Sequence, residues 1–114
     1  MSRDLSFWKT KRTAEMGNSE IYLKLSNEEY LDFVDEIPEE RIIEDFKRVF
    51  SDWYEDNFYF EKGDEAFDLM VTPQFVRTDC YGMTEDNMNK IIDILYEYGC
   101  PLYDSVIDVR FDES

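Results

Sequence analysis

The chain has 114 residues, 28 acidic against 12 basic side chains, a formal net charge of −16, and no histidine. That balance excludes nucleic acid and anionic membrane surfaces as direct ligands, because both need a basic face. The missing histidine removes the commonest general base and metal ligand, while aromatic residues at 17% give enough ring surface for an ordinary core of one domain, of radius about 13 Å, without metal or disulfide staples.

Taken in order, Asp4 to Lys9 reads as a first strand, with Leu5 and Phe7 on one face and Ser6 and Trp8 on the other. Phe7-Trp8 runs straight into Lys-Thr-Lys-Arg, so no secretory signal is expected there, and no run approaches the ~20 apolar residues of a membrane helix. Lys11 to Ser19 is polar and reads as a loop. Glu20 to Leu25 fits either a helical turn or an extended segment. Asn27 to Glu36 is strongly acidic, with Tyr30, Leu31, Phe33 and Val34 embedded, and reads as a short strand or as irregular chain.

Pro38 opens the clearest helix. Proline at a helix start loses no amide bond, and Glu39 and Glu40 suit the positive end of the dipole. Ile42, Ile43, Phe46, Val49, Phe50 and Trp53 make one apolar stripe, which carries the helix to about Tyr54. Asn57 to Glu61 reads as a short aromatic strand, and Lys62-Gly63-Asp64-Glu65 as a turn in which Gly63 would supply a positive φ. Ala66–Val71 and Phe75–Tyr81 flank Thr72-Pro73-Gln74, a hairpin signal with proline confined to the turn.

Thr84 is a candidate N-cap for a second helix with Met88, Ile91, Ile92, Leu95 and Tyr98 on its inner side, stopped by Gly99 and Pro101. Val106 to Phe111 reads as a last strand with Ile107, Val109 and Phe111 turned inward. The expected fold is therefore α+β: a largely antiparallel sheet of four to five strands against two helices, with a ferredoxin-like β-α-β-β-α-β order as one concrete version.

The chemistry is defined by what is missing. Without histidine, Ser-His-Asp and Cys-His nucleophile systems and His-based zinc sites fall away. Four scattered glycines form no phosphate-cradling loop. Cys80 and Cys100 make no Cys-x-x-Cys pair and read as reduced thiols packed in a core, which places the chain in the cytoplasm. Cys80 stands among acids, which raise a thiol pKa. Asp52, Asp56 and Asn57 are a poor imitation of a calcium loop, whose alternating ligand spacing they lack. No cofactor, no metal and no catalytic residue is expected.

The charge is unevenly spread. Residues 1–12 hold Arg3, Lys9, Lys11 and Arg12 against Asp4, a net +3, which leaves −19 for the rest. Two acidic clusters contain tyrosine: Tyr30, Asp32, Asp35, Glu36, Glu39 and Glu40, and then Asp52, Tyr54, Glu55, Asp56 and Asn57. Tyrosine offers rings for burial at an interface, while carboxylates steer and pair with Arg or Lys. The candidate partner-binding residues are Tyr30, Asp32, Asp35, Glu36, Asp52, Tyr54, Glu55 and Asp56.

The opening Asp4-Leu5-Ser6-Phe7-Trp8-Lys9, the Phe75–Tyr81 strand and Cys100-Pro-Leu-Tyr-Asp104 resemble small uncharacterised acidic bacterial proteins. In size and acidity the chain is also similar to immunity proteins of contact-dependent and other polymorphic toxin systems. That second resemblance implies a protein that blocks a basic toxin domain, often a nuclease, without chemistry of its own. The expectation is a non-catalytic binding protein with a basic protein partner. The alternatives are a nucleic-acid mimic seated in a basic cleft of a host protein, and a small carboxylate-dependent hydrolase.

Overall fold

The computed structural model describes residues 2–11 and 16–111. Among them, three helices and a seven-stranded antiparallel sheet confirm the α+β class. The strands are β1 (Ser2–Phe7), β2 (Tyr54–Asp56), β3 (Tyr59–Lys62), β4 (Glu65–Thr72), β5 (Phe75–Tyr81), β6 (Leu102–Asp104) and β7 (Val109–Arg110). The helices are α1 (Asn18–Ser26), α2 (Glu39–Val49) and α3 (Glu85–Tyr96). Strand order across the sheet is β2-β3-β4-β5-β1-β6-β7.

Two expectations about this layout need correction. Among the described residues the sheet has seven strands rather than four or five, because two short hairpins add to its edges, and there are three helices rather than two. The succession β-α-α-β-β-β-β-α-β-β differs from the ferredoxin-like pattern. Glu20 to Leu25, ambiguous by pattern, lies within α1. Its Ile21 and Leu25 are buried one helical turn apart, the spacing that puts both on one side.

The expected hairpin is the centre of the sheet. Leu69 pairs with Thr78 and Val71 with Val76, and the loop is the two residues Pro73-Gln74. Strand alternation splits the side chains between two faces. Leu5, Phe7, Phe60, Phe67, Leu69, Val76 and Cys80 point to the side covered by α2 and α3. Trp8, Phe75 and Tyr103 point to the other side, where Ile21 and Leu25 of α1 and Val34 of the irregular 27–37 segment cover them.

The first core is a ring cluster. Phe67 lies 4.8 Å from Phe60, 5.0 Å from Phe50, 5.8 Å from Trp53 and 6.0 Å from Phe46, centroid to centroid. Its helices are held at their ends. The Glu65 carboxylate accepts from Thr84 N at 2.7 Å and from Asn87 Nδ2, while the Thr84 hydroxyl accepts from Asn87 N, which caps α3 and ties it to β4. Gly99 takes φ +75° beyond α3, where Cys100 N donates back to Leu95 O, as the expected helix stop requires. α2 ends at Val49, short of Tyr54, yet Trp53 stays buried against Phe50.

The second core depends on one residue that composition does not flag. Gln74 is buried in the β4–β5 turn, and its amide donates to Leu31 O and Val34 O and accepts from Leu31 N. Its three bonds add to those the irregular segment makes through the Thr10–Val34 bridge, from Val34 N to Leu31 O, and from Ile37 N to Pro73 O.

Val106 to Phe111 is not a single inward-facing strand. The chain turns at residues 105–108, β7 is two residues long, and Ile107, Val109 and Phe111 are exposed. Asp104 Oδ1 accepts from Val106 N and turns the chain there, before β7 can lengthen.

Candidate functional site

Over β2, β3 and the middle of β4, the ring cluster covers one side of the sheet, while Tyr54, Asp56, Glu61 and Asp68 on the other are exposed. Register gives the membership of that open side. Tyr54 pairs with Glu61 and Asp56 with Tyr59. Tyr59 pairs with Asp68, Asp68 with Asp79, and Ala66 with Tyr81. All of these alternate with the buried Phe60, Phe67 and Cys80, so they share the face opposite α2 and α3.

The result is a patch of three tyrosines and four carboxylates drawn from four neighbouring strands. Tyr54 is 62% and Tyr81 42% exposed, and Asp56, Glu61 and Asp68 are exposed as well. Neighbouring strands lie ~4.8 Å apart, so the row Asp56, Tyr59, Asp68, Asp79, Asp4 places acids on adjacent strands. Like charges directly opposite destabilise a sheet. The row is softened at its inner end. Arg77 pairs with Asp79 at 3.0 Å, and Asp4 accepts from Tyr22 and Ser105 hydroxyls at 2.9 Å. Arg77 is itself taken up by α1, stacked 5.3 Å from the Tyr22 ring with a bond to Ser26 Oγ. Among the described residues, Asp68 is in none of the ion pairs.

Two of the phenols, Tyr59 and Tyr81, are held in the neutral form. Desolvation, then the nearby Glu61 and Asp68 carboxylates, raise the Tyr59 pKa; desolvation, Asp68 and Asp79 do the same for Tyr81. Neutral phenols beside carboxylates present both donors and fixed negative charge, the complement of arginine and lysine with apolar stems.

Of the residues expected from sequence, only Tyr54 and Asp56 lie on this face. Glu55 points to the opposite side of β2 and accepts from Phe58 N at 3.0 Å, fixing a turn in which Asn57 and Phe58 both have positive φ. Asp52 pairs with Lys62 instead, which lowers its pKa. Tyr30, Asp32, Asp35 and Glu36 lie on the irregular segment, where the Tyr30 hydroxyl donates to Glu36 at 3.1 Å. Glu61, Asp68, Asp79, Tyr59 and Tyr81 were missed because they are distant in sequence and meet only across strands. The signal was present as alternation: Asp68 and Asp79 fall between buried positions, and Tyr81 follows one.

Cysteine chemistry is blocked. Burial pushes the thiols of both Cys80 and Cys100 up to about 11, so neither is a thiolate at neutral pH. Among the described residues, no three Cys, Asp or Glu side chains are grouped to hold a metal ion, and no helix is long and apolar enough to cross a membrane.

No family model matches the chain, and no curated protein or solved structure is significantly similar to it.

Proposed function

We propose that the chain is a non-catalytic binding protein whose open sheet face receives a basic protein domain, in the manner of an immunity protein that blocks a toxin. The observation that carries the reading is the juxtaposition of Tyr54, Tyr59 and Tyr81 with Asp56, Glu61, Asp68 and Asp79 on one solvent-facing surface. Rings give burial at the centre of an interface, and carboxylates steer a positive partner and pair with its guanidinium groups. Acids held opposite one another cost stability, and a positive partner relieves that cost. Free buried thiols fit a reducing cytoplasm, where such a protein would act. Nucleic acid and anionic membranes remain outside the partner class, on the net charge of −16.

The test is a calorimetric titration against a basic domain encoded beside this chain's own reading frame. Association should weaken by about tenfold or more between ~50 mM and ~500 mM salt, chiefly through the on-rate. The double variant Tyr59→Ser/Tyr81→Ser should weaken it further by about tenfold. Equal affinity at both salt levels and in both proteins removes the proposal. Displacement of the partner's own DNA or RNA by this chain, with little contribution from the two rings, would instead favour a nucleic-acid mimic.

A further inference from the structure

Away from the acidic face, α3 and the turn after β6 leave an apolar cavity of about 610 Å³, inside the range of small-ligand sites. Met83, Met88, Val106 and Ile107 wall it, and Arg3 and Asp104 supply its charged groups. It adjoins a second recess of about 370 Å³ that shares Arg3 and Met88 and is also lined by Leu5, Ile92 and Leu102, with Glu85 and Asn89 as its polar members.

The ion pair is lopsided. Arg3 Nη2 reaches Asp104 Oδ2 at 2.5 Å, but the Asp104 side chain is 4% exposed and that of Arg3 51%. The second Asp104 oxygen accepts from Val106 N. The carboxylate is thus consumed inside the fold, while the half-exposed Arg3 lines the cavity. Flexible thioether walls adapt to an aliphatic chain. Cys80 also lines the cavity, and its thiol, pushed up to about 11, is unreactive there, so the site binds rather than bonds.

We propose that this cavity binds a medium-chain aliphatic carboxylate, its head on the Arg3 guanidinium and its chain between Met83, Met88, Val106 and Ile107. Arginine matches a carboxylate with paired, charge-assisted bonds, and apolar walls reward the methylenes. The molecule's net −16 repels anions at long range, so recognition rests on contact with Arg3. This site lies away from the acidic sheet face and takes an anion rather than a cation, so the two ideas stand or fall separately.

The probe is decanoate, with decanol as its uncharged counterpart, titrated into methyl-labelled protein and followed by NMR. Decanoate should give saturable shifts at the methyls of Met83, Met88, Val106 and Ile107, with decanol at least about tenfold weaker. Arg3→Gln should cost decanoate about tenfold and leave decanol within about twofold. Because that change strips Asp104 of its partner, a second variant guards against misfolding. Val106→Glu alters a position 77% exposed, spares the fold and should repel decanoate from the cavity mouth. The absence of saturable shifts at these methyls, equal affinity for decanoate and decanol, or unaltered decanoate binding by Val106→Glu would each overturn the proposal.

Discussion

Phe67→Ala is the perturbation that connects the core to the candidate face. Phe67 is fully buried, and rings of Phe60, Phe50, Trp53 and Phe46 surround it at 4.8 to 6.0 Å. Truncating a buried phenylalanine costs about 3–5 kcal/mol, and four ring neighbours put this site toward the upper end. For a domain of this size, ~4 kcal/mol corresponds to a fall in Tm of roughly 15 °C. The loss should also be local. β2 and β3 rest on this cluster from one side, with water on the other, whereas β1, with Trp8 just beyond it, and the start of β5 carry Leu5, Phe7 and Val76 on one face and Trp8 and Phe75 on the other. Amides of Tyr59–Lys62 should therefore exchange well before those of β1 and β5 in the variant. Thermal unfolding by circular dichroism gives the first quantity and hydrogen exchange the second. A cost below ~2 kcal/mol, or protection lost evenly across the sheet, would refute the reasoning.

The clamp between α2 and the end of α3 makes a pH prediction. The Tyr98 hydroxyl donates to Asp45, which holds Asp45 below the usual carboxylate range and, with burial, pushes Tyr98 up to about 12. Asp45 thus contributes stability that is present above its unfolded pKa and lost as pH falls through its depressed folded value; Tyr98 contributes stability present below its unfolded pKa of ~10 and lost as pH rises toward 12. Tyr98→Phe should lower the urea midpoint at neutral pH, with the gap to the parent protein closing at both extremes; a gap independent of pH contradicts the assignment. Asp68→Asn should raise Tm by a few degrees at low salt, by relieving the charge opposite Asp79, and the gain should vanish near ~0.5 M salt. A lower Tm at low salt would count against the repulsive row.

Particular residues show where sequence reading succeeded and where it stopped. The β4–β5 hairpin and α2 and α3 carry strong local codes: Pro73 in a turn, an apolar stripe from Ile42 to Phe50, and Thr84 and Gly99 at the helix ends. α1 has only Ile21 and Leu25 buried within nine residues and no side-chain cap, too little to separate helix from strand. Val106, Ile107, Val109 and Phe111 mimic a buried strand because they are apolar, yet they lie on a two-residue edge strand and its flanks. Gln74 reads as an ordinary turn residue, although its amide bonds to Leu31 and Val34 of the irregular segment. As for the face, alternation indicates which side chains leave the core, but not which strands are neighbours. Acids close in sequence, such as Glu55 and Asp56, point to opposite sides, while Asp68 and Asp79, eleven positions apart, sit opposite each other.

The central claim is tested most directly by amide chemical-shift mapping with an arginine-rich peptide at low salt, a probe that needs no knowledge of the natural partner. Tyr54, Tyr59, Glu61, Asp68 and Tyr81 should form the shifting cluster, and salt should abolish the effect. Shifts centred instead on Tyr30 to Glu40, or spread evenly over all acidic surfaces, would contradict it.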